Sequence, residues 1–113
     1  MSRDESRLLD IFLAARKVQA FCEGAGREAF EADELLQNAA LRLLQVIGEA
    51  SRNISRETRD AHPEIPWREM ISFRHKLVHE YFRVDIDEVW GIIHRDVPRL
   101  IALIAPLVPP EEG

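Results

Sequence analysis

A single cysteine, Cys22, in 113 residues excludes an internal disulfide, so the fold must hold without covalent staples. Its expected place is as a small buried hydrophobe in a reducing compartment. Long apolar runs are missing too. No segment approaches the roughly 20 apolar residues of a membrane span. The N-terminus, MSRDESR, is charged and leads into no apolar stretch, so no targeting segment or membrane association is expected. The expectation is a cytoplasmic protein. An excess of positive charge is also lacking. The net charge of −5 argues against general affinity for nucleic acid. Alternating strand patterns with hairpin signals are absent, and no internal repeat is visible.

What remains is ordinary for one globular domain: 46% hydrophobic and 31% charged residues. A chain of this length buries roughly two thirds of its unfolded surface, enough for a core. Helical periodicity organises most of it. Ser2 and Glu5 form a capping-box pattern, followed by Leu8, Ile11, Phe12, Ala15, Val18 and Cys22 at helical spacing. Gly24 and Gly26 end that helix. The next series runs from Leu35 to Ile54, wide and leucine-rich, and predicts the most buried helix. Gly48 inside it costs up to about 1 kcal/mol in propensity and asks for a close helix crossing.

Ser55 and Thr58 predict a short helix at 56–61, and HPEIP then breaks the chain. Pro66 suits the first position of the following helix, whose apolar positions are Trp67, Met70, Ile71, Phe73, Leu77 and Val78. Asp85 and Glu88 resemble a second capping box before Val89, Trp90, Ile93, Val97, Leu100, Ile101 and Ile104. Pro98 should kink that last helix. Trp67 and Trp90 are expected as core anchors. The expected fold is all-α: an up-and-down bundle of four main helices plus a short one. One domain spans 1–107, and 108–113 form a flexible tail.

Charge is unevenly spread. Acids gather at 28–34, 85–88 and 111–112, whereas Trp67 to Arg83 holds four bases against Glu69 and Glu80. Within that segment, RHKLVHEY (residues 74–81) packs six polar or ionisable groups around Leu77 and Val78. Three readings fit it. His75 and His79, spaced i, i+4, share a helix face and could hold a metal, but no third ligand is evident. The polar groups could decorate a solvated face, with Leu77 and Val78 buried. Or they could do chemistry. His79 would act as general base on a ribose 2′-hydroxyl, and Arg74 would stabilise charge on the phosphoryl oxygens. The product would be a 2′,3′-cyclic phosphate, and DNA would resist. Positions 74 and 79 lie about 140° apart around a regular helix. A shared site therefore needs a loosened helix, a sweeping arginine or two chains.

R-x-x-x-x-H, read as Arg74 to His79, is the hallmark of HEPN domains. RHKLVHEYFRVD, with its following tyrosine, resembles the HepT-like family of ribonuclease toxins. DELLQNAALRLLQVIGEASRNIS and HPEIPWREMISFRHKLVHEYFRVDIDEVW are similar to the same family in the same order, so the likeness covers roughly Ser2 to Leu107. The resemblance implies a HEPN-like helical bundle that forms a homodimer or higher even oligomer, with the two motifs facing a shared cleft. It implies RNA as substrate, cut without metal or cofactor by Arg74 and His79. His75 stands where the family often has asparagine and would orient His79; Lys76 would contact RNA phosphate. Tyr81 matches the tyrosine that an MNT-type nucleotidyltransferase antitoxin modifies with AMP in this type VII-like toxin–antitoxin pairing. The alternative is a non-catalytic helical module that binds a nucleotidyltransferase or a nucleotide.

Overall fold

The computed structural model describes residues 2–110; the expected tail at 108–113 therefore lies outside it from residue 111 onward. The first helix, α1 (Arg3–Cys22), starts where Ser2 Oγ accepts the Glu5 N–H at 3.1 Å. Asp4 and Glu5 in its first turn oppose the positive end of the helix dipole. Leu8, Ile11, Ala15, Val18 and Cys22 are buried along one stripe, and burial pushes the Cys22 thiol pKa up. Gly24 turns the chain at φ 78°, in the left-handed region that glycine enters freely.

A short helix, α2 (Arg27–Ala32), follows, which the sequence pattern did not announce. Its one buried residue is Phe30, too little for any periodic signal. Contacts from outside hold it: Gln37 Nε2 donates to the Phe30 and Glu31 carbonyls at 2.9 and 2.8 Å, and Arg27 pairs with Asp87. Next, α3 (Glu34–Arg52) begins with Asp33 accepting the Leu36 N–H at 3.0 Å. It lies between α1 and α5 (Trp67–His79) and is the central helix the leucine-rich series predicted. Ala40, Leu41, Leu44 and Ile47 fill the seam, each large side chain contributing about 1.5–3 kcal/mol on burial. Ser51 is the one buried polar residue described, and its hydroxyl donates to the Ile47 carbonyl at 2.7 Å.

The short helix α4 (Arg56–Ala61) falls where Ser55 and Thr58 placed it. Its start is tied to α1: the Asp4 carboxylate accepts from the Ser55 N–H at 3.0 Å and from the Ser55 and Thr58 hydroxyls at 2.5 Å. Pro66 stands just before α5 rather than inside it, and Trp67 is buried with its indole N–H on the His62 carbonyl at 2.9 Å. Asp85 caps α6 (Ile86–Gly91), but its carboxylate accepts from Asp87 N–H, and Glu88 turns to Lys76 instead of closing a box.

Between α6 and α7 (Val97–Ile104) lies a wide π-turn, Ile92–Asp96, in which Val97 N–H bonds the Ile92 carbonyl. Pro98 follows it in the first turn of α7, so the expected disturbance of the helix coincides with a widened turn. Trp90 is half-buried, in a T-shaped contact with Phe30 and stacked on exposed His94 at 3.6 Å. The last turn, Ala105–Leu107, leads to Val108, which still rests against the core.

The all-α bundle is thus built by α1, α3, α5 and the stretch of α6 and α7 that the π-turn joins, with α2 and α4 as short additions. No helix among the described residues is long and apolar enough to cross a membrane. An apolar groove of about 300 Å³ is lined by Leu44 and Ile47 of α3, Met70 and Phe73 of α5 and Val97 and Leu100 of α7, among others. None of Arg74, His75, His79 or Tyr81 lines it.

Candidate active site

The polar segment 74–81 straddles the end of α5. The apolar stripe of that helix is Trp67, Met70, Phe73 and Leu77, of which Trp67 and Leu77 are buried. Val78, expected beside Leu77 as an anchor, is 44% exposed. It sits about 100° further round the helix and so falls off the stripe. The helix remains regular through His79, then breaks at Glu80, whose backbone leaves the helical region at φ −137°, ψ 39°. A 3₁₀ turn, Tyr81–Arg83, follows.

Arg74 faces α3. A methyl group built on Gly48 would lie 2.2 Å from Arg74 Cβ and 2.6 Å from the Met70 carbonyl oxygen. Only glycine lets the two helices approach this closely, and they cross at Arg74. The next residue of α3, Glu49, places Oε2 at 2.7 Å from Arg74 Nε. The Arg74 side chain is only 20% exposed. Its Nε is buried and makes no aligned hydrogen bond, so the link to Glu49 is a close ion pair rather than a directed one. The other Glu49 oxygen stands 4.0 Å from Arg52 Nη1. One carboxylate therefore sits between two guanidinium groups.

His79 is exposed at the end of α5. Its ring lies 4.3 Å from that of His75, tilted by 49°, so the i, i+4 pair does share a face. Among the described residues no group of three His, Cys, Asp or Glu side chains gathers as metal donors would. No contact joins Arg74 to His79. Because α5 stays regular between them, the loosened-helix option is closed, and Arg74 is occupied on the α3 side.

Lys76 Nζ lies 3.0 Å from Glu88 Oε2, and that hydrogen bond raises the lysine pKa. Its charge is already partnered within the chain. Tyr81 donates its hydroxyl hydrogen to Asn38 Oδ1 on α3 and meets Phe82 edge-on at 5.4 Å. Phe82 is 98% exposed and Leu35, one turn before Asn38, is 84% exposed. Uncovered apolar side chains of that size beside Tyr81 mark a surface suited to a protein contact.

Sequence reasoning singled out Arg74, His75, Lys76, His79 and Tyr81, and the structure places all five along one helix end and its following turn. It missed Glu49 and Asn38. Glu49 had one weak signal, its position directly after the mid-helix Gly48. Asn38 had none, because its partner lies 43 residues away in sequence.

Comparison with known proteins adds to this geometry. A family model described as Ribonuclease HepT-like matches residues 11–107. A protein of Thermococcus cleftensis named "Probable ribonuclease HepT" is 43% identical over 93 residues, covering 82% of this chain and 84% of that protein. A Methanocaldococcus jannaschii protein provisionally named an RNase is 37% identical over 93 residues, covering 82% of this chain and 85% of its own length. One from Caldanaerobacter subterraneus, also provisionally named an RNase, is 40% identical over 78 residues, covering 69% of this chain and 70% of its own. No solved structure matches the chain significantly.

Proposed function

Since the chain belongs to the HepT-like ribonuclease family, we propose that it is an endoribonuclease that works without metal through Arg74 and His79. His79 removes the proton of a ribose 2′-hydroxyl. The 2′-oxygen attacks the adjacent phosphorus, the bond to the 5′-oxygen breaks, and that oxygen takes up a proton as it leaves. Arg74 balances the charge that builds on the phosphoryl oxygens. The products carry a 2′,3′-cyclic phosphate and a 5′-hydroxyl, and DNA, lacking the 2′-hydroxyl, is not cut.

The observation that carries this reading is the setting of Arg74. A decorative arginine is exposed and mobile. This one is one-fifth exposed, paired with Glu49, and sits at a crossing held close by a glycine. The 140° or so between Arg74 and His79 on a regular helix favours a site assembled from two chains. The exposed Phe82, Leu35 and Val78 supply apolar surface for such pairing. In this reading His75 orients His79, and Lys76 adds charge for RNA backbone once it leaves Glu88. The biological role is that of a toxin acting on cytoplasmic RNA, silenced when an MNT-type nucleotidyltransferase antitoxin transfers AMP to Tyr81. A bulky anion beside the histidines would compete with RNA phosphate.

The decisive experiment incubates purified wild type and His79→Ala with RNA, with matched DNA, and with RNA plus a chelator. Wild type should cut RNA alone, chelator or not, and leave cyclic phosphate ends. His79→Ala should lose at least about a hundredfold in rate while melting at the wild-type temperature. A folded wild-type dimer that leaves RNA intact would instead support a non-catalytic module that binds a nucleotidyltransferase or nucleotide, the reading that the net charge of −5 favours.

A further inference from the structure

We propose that Glu49 is a positioning residue for Arg74, an inference that rests on the ribonuclease reading and names a further residue of its site. Arg74 carries five N–H donors in a rigid planar fork. Glu49 approaches this fork at Nε, with Oε2 at 2.7 Å. A carboxylate held against Nε restrains where the two terminal nitrogens of the fork lie, and those two are the pair that grips two phosphate oxygens at once. Free arginine side chains carry rotamer entropy, which a phosphate contact would otherwise have to overcome.

The anchor is itself anchored. Gly48 lets α3 run so close to α5 that its neighbour Glu49 reaches the Arg74 side chain from a rigid helix, not from a loop. The carboxylate does not cancel the local charge. Arg52 Nη1 stands 4.0 Å from its second oxygen, so two cations share one anion and the group still attracts phosphate. A competing role is available to the same contact: Glu49 could mask Arg74 and be displaced by RNA. The two roles predict opposite signs.

The test compares wild type, Glu49→Ala, Glu49→Gln and Arg74→Ala in steady-state cleavage of an RNA oligonucleotide. Positioning predicts that Glu49→Ala lowers kcat about tenfold or more, since a misplaced catalytic group costs up to a hundredfold, with a much smaller change in KM. Glu49→Gln keeps the size of the side chain but removes the charge on which the ion pair depends, so it should be slowed much as Glu49→Ala is. Both variants should melt close to wild type. A Glu49→Ala protein that cleaves as fast as wild type, or faster, overturns the proposal.

A second readout does not depend on cleavage. The Arg74 Nε–H resonance, identified by its loss in Arg74→Ala, should be sharp and slow to exchange in wild type and should broaden in Glu49→Ala. If wild type cuts no RNA but this resonance behaves so, the ribonuclease reading fails and the held arginine stands. If the resonance is the same in wild type and Glu49→Ala, the positioning role is wrong whatever the cleavage assay gives.

Discussion

Replacing Gly48 with alanine adds one methyl group at the crossing of α3 and α5. That methyl would fall 2.2 Å from Arg74 Cβ and 2.6 Å from the Met70 carbonyl oxygen. Neither neighbour is the loose end of a flexible side chain, so the helices themselves must separate. Overpacking of this kind costs about 1–3 kcal/mol, and two backbone-bound contacts place it at the upper end. Helix propensity acts the other way, by up to about 1 kcal/mol. The expected balance is a loss of about 2 kcal/mol, which for a domain of this size lowers Tm by about 10 °C. Thermal unfolding followed by circular dichroism reads it directly. Cleavage by the protein that remains folded at 25 °C should also fall, because Arg74 moves with α5. Gly91, where an added methyl would first meet the flexible Arg95 guanidinium, at 3.6 Å, provides the control and should lose no stability on conversion to alanine. A Gly48→Ala protein at least as stable as wild type would refute the reasoning, because propensity alone would then decide the position.

Other outcomes follow from local geometry. Gly91→Ala should stabilise by up to about 1 kcal/mol in denaturant unfolding, because its backbone is helical and the new methyl meets only the Arg95 guanidinium at 3.6 Å. The Asp4 carboxyl is held below its usual pKa of 3.8, chiefly by the Ser55 hydroxyl and then by Thr58. A lowered folded pKa contributes stability that is present above the unfolded value and lost as pH falls through the folded one. Asp4→Asn should therefore be less stable than wild type at neutral pH, with the gap closing below about pH 4 in pH-dependent melts. Tyr81 is the only tyrosine, so Tyr81→Phe should leave no acceptor for AMP when incubated with a nucleotidyltransferase antitoxin and ATP, while RNA cleavage and stability stay within about 1 kcal/mol of wild type. Continued AMP transfer onto that variant would remove Tyr81 from the proposed regulation.

The sequence was most informative where a pattern is local. The leucine-rich series, the Ser55–Thr58 start and the Ser2 cap each depend on residues within a turn of one another, and α3, α4 and α1 follow them. The same holds for the segment 74–81, whose residue types and spacing stand out in one dimension. What escaped depends on distance along the chain. α2 has no stripe of its own and is held by Gln37 and Asp87, residues on other elements. Glu49 and Asn38 acquire meaning only once α3 is laid against α5 and the turn after it. Val78 shows the limit of reading neighbours as a unit: adjacent apolar residues on a helix point about 100° apart, and only Leu77 reaches the core.

The π-turn at Ile92–Asp96 has a consequence for the timing of the last helix. Val89, Ile93 and Val97 are all buried and succeed each other every four residues. In a strict α-helix each such step overshoots by about 40°, so the third side chain would point well away from the first. The wide turn slows the rotation over this stretch, and the three stay in phase with the core. It amounts to one extra residue absorbed as a local slackening. Pro98, which cannot donate a hydrogen bond, sits at the point where the clock is reset, so a residue that usually interrupts a helix here lets it keep one face inward from Val89 to Ile104.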